Sequence, residues 1–319
     1  MRNELLHFLD SSDTFEARGL RLLLEYFFAN DQFRDFYSSE RIGISVFGSA
    51  RIHSGSKIYN EAVEVGRLLY ESGFAVVTGA SSGVMEGANR GVAEAILKRF
   101  HDEIDGTSEE EMLAHEKYLS EIEKFSIGLK INLPYEKEAN PYLGNMVSFH
   151  YFAIRKFYFT MLSRGFIRME GGWGTRDEFW EMCTLVQTGK APLMPIISLN
   201  SFNEHLREDF STSIKGGFIG EFDKYLVDIV DSPEAAVEVI KSFYRNVKKI
   251  DYTRDWEILI YPKIMPDDAL RGRLEGFLSE YPGVFKEIRY EKDRLALLGY
   301  TFKSFGYLRR FVDRLNGLE

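Results

Sequence analysis

The sequence predicts an α/β fold in which helices pack on both faces of a parallel sheet. Short apolar runs recur along most of the chain, and amphipathic helical stretches separate them. This alternation is typical of consecutive strand–helix–strand units. The runs that we interpret as strands are residues 42–50, 74–80, 125–133, 165–170, 192–199 and 225–232.

Changes in this alternation predict three parts of the chain. Helical spacing of apolar residues near the start predicts an N-terminal helical segment over residues 1–40. The alternating unit covers 41–248, and a mixed pattern after it predicts a small α+β C-terminal domain over 249–319. Within the central unit, residues 100–124 carry nine acidic residues against two lysines and predict an inserted helix with a solvated acidic face.

The composition excludes several classes of function. No apolar run reaches the roughly 18 residues of a membrane span, and the first residues lack the order of a secretory signal, so we expect a cytoplasmic protein with no membrane partner. No basic stripe is present, which argues against nucleic acid as a partner. The six histidines lack ligand spacing and Cys183 stands alone, so we expect no metal site and no disulfide.

Two loops that follow predicted strands are rich in small residues. Ligands of open parallel sheets bind outside the carboxyl ends of the strands, where such loops meet. The first loop is "FGSAR" (47–51) and the second is "TGASSGVMEGANRG" (78–91), whose first two glycines allow backbone amides to close on an anion. The dinucleotide and ATP-type phosphate patterns are both absent. The candidate anion-binding residues here are Gly48, Ser49, Gly79, Ser81, Ser82 and Gly83.

A third loop lies in "RMEGGWGTRDEFWE" (168–181), between an apolar strand and a helix. Thr175 is suited to be the N-cap of that helix, with Asp177 and Glu178 in its first turn. A helix start favours an anion by roughly 0.3–2 kcal/mol. Acidic residues also favour a first turn without any ligand, so this pattern alone fits a capped helix equally well. Trp173 is a candidate to stack on a base or to pack at the loop tip.

An aromatic-rich helix is predicted upstream, in "SFHYFAIRKFYFTML" (148–162), where Arg155 and Lys156 are the polar exceptions. Adjacent helical residues point about 100° apart, so the two cations serve different purposes. Arg155 suits bidentate contact with a phosphate or carboxylate. Lys156 is either a second ligand-binding residue or a solvated surface cation. The aromatic face packs in the core or against a second subunit.

Together these motifs resemble those of the LOG-type phosphoribohydrolases, a family often labelled as lysine decarboxylases. "VFGSAR", "TGASSGVMEGANRG", "AIRKFYFTMLSRGFI" and "GGWGTRDE" follow the order and approximate spacing of that family over residues 41–246. The resemblance implies a Rossmann-like homodimer or higher homo-oligomer that hydrolyses nucleoside 5′-monophosphates. Their N-glycosidic bond is cleaved to free base and ribose 5-phosphate, without a metal or redox cofactor. By position, it implies that Arg155 and Glu178 are the catalytic pair. The phosphate-binding residues that it implies are Gly171, Gly172, Gly174 and Thr175.

The sequence departs from the family pattern at three places. Glu170 stands where the family has proline, Ala153 where plant-like members have histidine, and Gly79 to Gly83 read Gly-Ala-Ser-Ser-Gly where the family has a run of glycines. A carboxylate beside a phosphate loop is unfavourable unless it points away or pairs with a cation. These departures leave open a non-catalytic nucleotide-binding sensor or carrier on the same fold. Amino-acid decarboxylation needs a pyridoxal-phosphate lysine, and no such site is indicated.

Overall fold

A seven-stranded parallel sheet forms the centre of the structure, a computed structural model. The described residues are 14–101, 108–134, 138–199, 203–253, 255, 257–299 and 305–318. The strands are β1 Gly43–Phe47, β2 Ala75–Thr78, β3 Ser126–Ile131, β4 Asn145–Phe149, β5 Ser163–Arg168, β6 Ile196–Leu199 and β7 Val227–Val230. Their order in the sheet is β4-β3-β2-β1-β5-β6-β7, and all neighbours are parallel. The predicted Rossmann-like α/β fold is therefore confirmed.

Helices surround this sheet, because parallel neighbours need crossover connections. The N-terminal helices are α1 Phe15–Gln32 and α2 Arg34–Ser38. The helices between and after the strands are α3 Lys57–Glu71, α4 Val84–His101, α5 Ser108–Phe125, α6 Phe152–Leu162, α7 Trp173–Gln187, α8 Asn203–Lys215 and α9 Pro233–Phe243. Helix α5 lies where the sequence predicted an inserted acidic helix. None of the described helices is long and apolar enough to cross a membrane.

A smaller antiparallel sheet follows the parallel one. Its strands are β8 Val247–Tyr252, β9 Glu257–Pro262, β10 Glu287–Tyr290 and β11 Leu295–Leu298, in the order β10-β11-β9-β8. Two helices accompany it, α10 Asp268–Glu280 and α11 Phe305–Leu315. Buried side chains of both sheets belong to one hydrophobic cluster, and Arg309 Nη1 of α11 lies 2.6 Å from Asp228 Oδ2 of β7. The division of the chain at residues 40 and 248 stays a prediction.

Two strands were absent from the sequence prediction. Strand β4 is a five-residue edge strand whose side chains alternate between outer and inner positions, and its last two residues were assigned to the following helix. Its apolar pattern is too short to separate from that helix. Strand β8 was also unassigned, because charged and apolar residues are mixed in "VKKIDY".

The buried central strands of the parallel sheet determine where the three small-residue loops meet. All residues of β1 and all residues of β2 are buried, as expected for strands covered on both faces. Strands β3, β2, β1 and β5 lie consecutively in the sheet. The loops after their carboxyl ends therefore lie side by side, and they include the three small-residue loops.

Candidate functional site

A cavity of about 770 Å³ opens at the carboxyl ends of these strands. Its size is that of a typical small-molecule site. Residues from all three small-residue loops and from α6 and α7 line it. The sequence-predicted site residues that line it are Gly48, Ser49, Gly79, Ser81, Arg155, Gly172, Trp173, Gly174, Thr175 and Glu178.

Three other predicted loop residues do not line the cavity and instead hold the loops together. Ser82 Oγ donates a hydrogen bond to a backbone carbonyl of the first loop at 2.9 Å. Gly83 has φ +68°, and a Cβ there would lie 2.3 Å from the carbonyl oxygen of Ser49. A Cβ at Gly171 would lie 2.1 Å from Thr175 Oγ1. Glycine at these two positions therefore permits close packing of loop against loop or helix.

Lys156 also lies outside the set of cavity-lining residues. Its Nζ lies 2.9 Å from Asp177 Oδ2 and 2.5 Å from Glu181 Oε2, both on α7. Arg155 points into the cavity, and its neighbour is turned about 100° away on the helix. Lys156 therefore links α6 to α7, and its predicted role in ligand binding stays a prediction.

The start of α7 differs from the predicted one. The helix begins at Trp173 with Gly172 as N-cap, and no side chain caps it. Thr175 therefore lies inside the first turn, and the prediction that it is the N-cap was wrong. Asp177 and Glu178 fall beyond the first turn, because the glycine pair allows the helix to begin earlier than the sequence pattern indicated. First-turn amides of an uncapped helix need partners, and here they border the cavity.

The Arg155–Glu178 pair joins α6 to α7 at the base of this cavity. Nη2 of Arg155 lies 3.3 Å from Oε1 of Glu178, and the two residues are only 9% and 5% exposed. On α6, Arg155 shares the buried face with Tyr158 and Phe159. Its guanidinium carbon lies 5.1 Å from the ring centroid of Phe152. Aromatic packing thus fixes the cation beside the carboxyl group.

Burial changes the acidity of this carboxyl group. Desolvation raises the pKa of Glu178 from its ordinary value of 4.5 to about 7, against the opposing effects of the Arg155 and Lys156 charges. A carboxyl group with a pKa near neutrality is present in both protonation states at neutral pH. This property is typical of groups that exchange protons or stabilise charge in a reaction.

A buried polar network holds the second loop. Ala80 has φ +63°, an unusual conformation for a residue with a side chain. Its carbonyl accepts a hydrogen bond from Asn140 N at 3.0 Å. Asn89 Oδ1 accepts hydrogen bonds from Asn140 Nδ2 and Thr78 Oγ1, and Asn89 Nδ2 donates to Ser126 Oγ at 2.9 Å. Sequence reasoning missed these asparagines, because neither stands in an apolar run and their contacts form only in the folded chain.

The cavity lining also contains charged residues that sequence reasoning did not assign. They are Arg51, Lys130 and Glu138. Lys130 is the charged residue of β3, which is otherwise apolar or small, and this contrast is the signal that was available. Glu170 does not line the cavity, and its carbonyl oxygen accepts a hydrogen bond from Ser49 N at 2.7 Å. This backbone hydrogen bond joins the first loop to the third, and it does not depend on the side chain, because proline also has a carbonyl acceptor.

Comparison with known proteins relates this site to a family. Residues 108–240 match the family described as "Possible lysine decarboxylase", and residues 41–96 match the SLOG cluster4 family. Over these two segments the chain resembles the LOG family. The matched segments carry all three small-residue loops and the Arg155–Glu178 pair.

Solved structures that resemble this chain share 20–22% sequence identity with it. The X-ray structure of TM1055 is 22% identical with a TM-score of 0.42, over 63% of this chain and 98% of that chain. The molybdenum cofactor carrier protein of Chlamydomonas reinhardtii is 21% identical with a TM-score of 0.40, over 63% and 96%. The molybdenum cofactor binding protein of Rippkaea orientalis is 21% identical with a TM-score of 0.39, over 63% and 94%. No curated protein matches the sequence significantly.

Proposed function

We propose that this protein, like the LOG family that it resembles, hydrolyses the N-glycosidic bond of nucleoside 5′-monophosphates, giving free base and ribose 5-phosphate. One observation carries the proposal: helix α7 contributes both its uncapped first turn and the buried Glu178 to the same cavity. A single rigid element therefore holds an anion and presents an acidic group at a fixed separation.

The phosphate of the substrate binds at the first turn of α7. The backbone amides of Trp173, Gly174 and Thr175 supply donors there, and the helix dipole favours the negative charge. Gly48 and Ser49 of the first loop, with Gly79 and Ser81 of the second, line the same cavity. From Thr175 to Glu178 the helix rises about 4.5 Å, which brings the carboxyl group toward the sugar of a bound nucleotide.

Cleavage then proceeds with development of positive charge on the ribose. As the bond between C1′ and the base nitrogen breaks, its electron pair leaves with the base and the sugar becomes oxocarbenium-like. The Glu178 carboxylate stabilises this charge and accepts a hydrogen bond from the attacking water. The water oxygen bonds to C1′, and the proton that it loses ends on the departing base. Arg155 orients the carboxyl group through the 3.3 Å contact.

In this proposal the base lies toward the cavity mouth, near Lys130 and Glu138 of the lining. Trp173 is 89% exposed and lines the cavity together with Phe152, Lys130 and Glu138. An aromatic ring at the mouth suits stacking on a base. The charged groups supply a donor and an acceptor for its polar edge.

The matched family is described as a possible lysine decarboxylase, but Lys156 does not suit the role of a decarboxylase lysine. A pyridoxal-phosphate enzyme requires a lysine amine that forms a Schiff base with the cofactor. Lys156 is paired with two carboxylates of α7 and does not line the cavity. We therefore assign no decarboxylation step to this lysine.

A nucleotide panel tests the proposed hydrolysis. The full chain is incubated with AMP, CMP, GMP and UMP, and released base and ribose 5-phosphate are measured by chromatography. We expect release from at least one nucleotide by the native chain and strongly reduced release by Glu178→Gln. The Lys156→Ala variant is the matched control, since its side chain lies next to the pair but outside the cavity. Binding of a nucleotide without release of base would instead support a sensor or carrier.

We also propose that two copies of the chain associate through an apolar face formed by α1 and α6, called here the α1–α6 face. Its exposed side chains are Leu20, Leu23, Leu24, Phe27, Phe28, Phe157 and Met161. The ring of Tyr26 lies 5.6 Å from that of Phe157 and connects the two helices. Spacings of three and four residues place the α1 members on one side of that helix. Exposed apolar patches of this extent are typical of association surfaces, and a homo-oligomer agrees with the family resemblance.

A further inference from the structure

A second cavity, of about 510 Å³, lies at the opposite end of the parallel sheet. Ile42, Arg164 and Leu193 line it, just before or at the amino ends of β1, β5 and β6. Residues of α2 and of strands β8 and β9 complete its walls. It therefore lies between the parallel sheet and the antiparallel sheet, separated from the first cavity by the length of β1 and β5.

Positive charge is concentrated in this second cavity. Its cationic lining residues are Arg41, Arg164, Lys248, Lys249 and Lys263. Two acidic residues, Glu40 and Asp251, also line it, so the lining has a formal net charge of 5 − 2 = +3. The whole chain has a net charge of −9. A basic cavity in an acidic chain attracts anions selectively by its local field.

Several of these cations keep their charge available for a ligand. Lys249 is paired with Asp251 at 2.6 Å. Within the described part of the chain, neither Lys248 nor Lys263 has a carboxylate within 4.0 Å of its ammonium group. Arg164 donates from Nη1 to carbonyl oxygens at the end of α6, which positions the guanidinium without neutralising it.

A register irregularity in β8 places two consecutive lysines in the cavity. Adjacent residues of a regular strand point to opposite faces. Pairing of β8 with β9 shifts between Val247 and Lys249, and Lys248 and Lys249 are both exposed while Val247 and Ile250 are buried. Both lysines consequently line the cavity. Bulges commonly redirect side chains toward a site in this way.

The remaining walls are aromatic and apolar. They include Phe36 and Tyr37 of α2, Phe243 and Tyr244 of α9's end, and Tyr261 of β9. A cavity that combines aromatic walls with several cations fits a ligand that has both a flat ring and multiple negative charges. Nucleoside polyphosphates have both features.

We infer that this second cavity binds a nucleoside polyphosphate, with its phosphates at Lys248, Lys263 and Arg164 and its base against the tyrosines. The inference goes beyond the hydrolysis proposed above and does not depend on it. Helix α6 lines both cavities, with Arg155 in the first and Met161 in the second.

Calorimetric titration of the full chain with the four ribonucleoside triphosphates, and with inorganic tripolyphosphate, tests the inference. Lys248→Glu/Lys263→Glu reverses two charges of the cavity. Lys215→Glu/Lys292→Glu is the matched control, because it changes the same charge at exposed lysines elsewhere. Arg155→Ala alters the first cavity alone. Thermal unfolding of each variant confirms that it is folded.

At least one triphosphate should bind the native chain, the control and Arg155→Ala with similar affinity. The cavity variant should bind it with a dissociation constant raised at least about tenfold, since charge-assisted hydrogen bonds are lost. The inference is overturned if no triphosphate binds, if the cavity variant binds normally, or if Arg155→Ala abolishes binding. Tripolyphosphate binding as tightly as the nucleotides would also overturn the proposed nucleotide class, because the base would contribute nothing. Loss of hydrolysis in any variant leaves these outcomes unaffected.

Discussion

Glu178 and Arg155 reach the same point of the first cavity from two different helices, with 3.3 Å between Oε1 and Nη2. Both side chains are buried from bulk water. The positive charge of Arg155 lowers the pKa of Glu178, but desolvation by burial has the larger effect. The pKa of Glu178 is therefore raised to about 7. The pair therefore has the properties of a reactive site more than those of a structural ion pair.

The first prediction concerns the catalytic role of Glu178. Glu178→Gln keeps the shape of the side chain and removes its charge, so turnover of a nucleoside monophosphate should fall by roughly 10²–10³. Native kcat/KM should rise with pH through about 7, as the carboxylate forms. The steady-state release of base across pH measures both. Undiminished turnover in the variant would remove Glu178 from the mechanism.

The second prediction concerns stability and follows from the same raised pKa. Between pH 4.5 and about 7 the folded chain binds more protons at Glu178 than the unfolded chain. The free energy of unfolding must therefore fall as pH rises through this window. Glutamine does not titrate, so the native stability minus that of Glu178→Gln should decrease by up to about 3 kcal/mol across the window. Urea unfolding of both chains below and above the window measures the difference. A constant difference would show that burial does not raise the pKa.

The third prediction separates Arg155 from its neighbour Lys156. Arg155→Ala removes the stronger of the two cationic charges that favour the charged form of Glu178, so the pKa of Glu178 should rise further. The pH at which kcat/KM reaches half its plateau should consequently move upward, and the rate at neutral pH should fall. Lys156→Ala should change kcat/KM less, because Lys156 pairs with Asp177 and Glu181 and its charge affects the pKa of Glu178 less than that of Arg155 does. Equal losses in the two variants would contradict the separation of roles.

The sequence was sufficient for most of the fold and for the small-residue loops, Arg155 and Glu178, which meet in the first cavity. Six apolar runs correspond to six of the seven parallel strands, because strands covered on both faces are nearly continuous apolar segments. Strand β4 was missed because an edge strand has one exposed side and here merges with α6. The sequence near Arg155 and Lys156 shows only that the two side chains point in different directions on the helix. Which of them faces the cavity is set by the packing of α7 beside α6.

The start of α7 and the second loop were less accessible to sequence reasoning. Thr175 has the right chemistry for an N-cap, but Gly172 takes the position because two glycines allow an earlier start. Support of the second loop comes from Asn89 and Asn140, which are about 50 residues apart in sequence and meet only in the folded chain. Long-range polar contacts of this kind have no periodic signal.

The fourth prediction tests the packing of the loops. Gly83→Ala should destabilise the chain by at least about 2 kcal/mol, since alanine is strained in the left-handed region. Its Cβ would also lie 2.3 Å from the carbonyl oxygen of Ser49. Gly174→Ala is the matched control, because no atom lies within 4 Å of its added Cβ. Chemical denaturation of both variants gives the comparison. If the two lost similar stability, the close approach of the first and second loops would be wrong.

The last prediction concerns the α1–α6 face. Phe27 is 62% exposed and belongs to that face, so Phe27→Asp should place a charge in the proposed contact between two copies. A charge without a partner in a buried interface is strongly unfavourable. Molar mass from light scattering should then change from that of an oligomer to that of a monomer of 36.9 kDa. Phe218→Asp changes an even more exposed phenylalanine, outside the face, and should leave the oligomer intact. A native chain that is already monomeric, or an unchanged mass in Phe27→Asp, would refute association through this face.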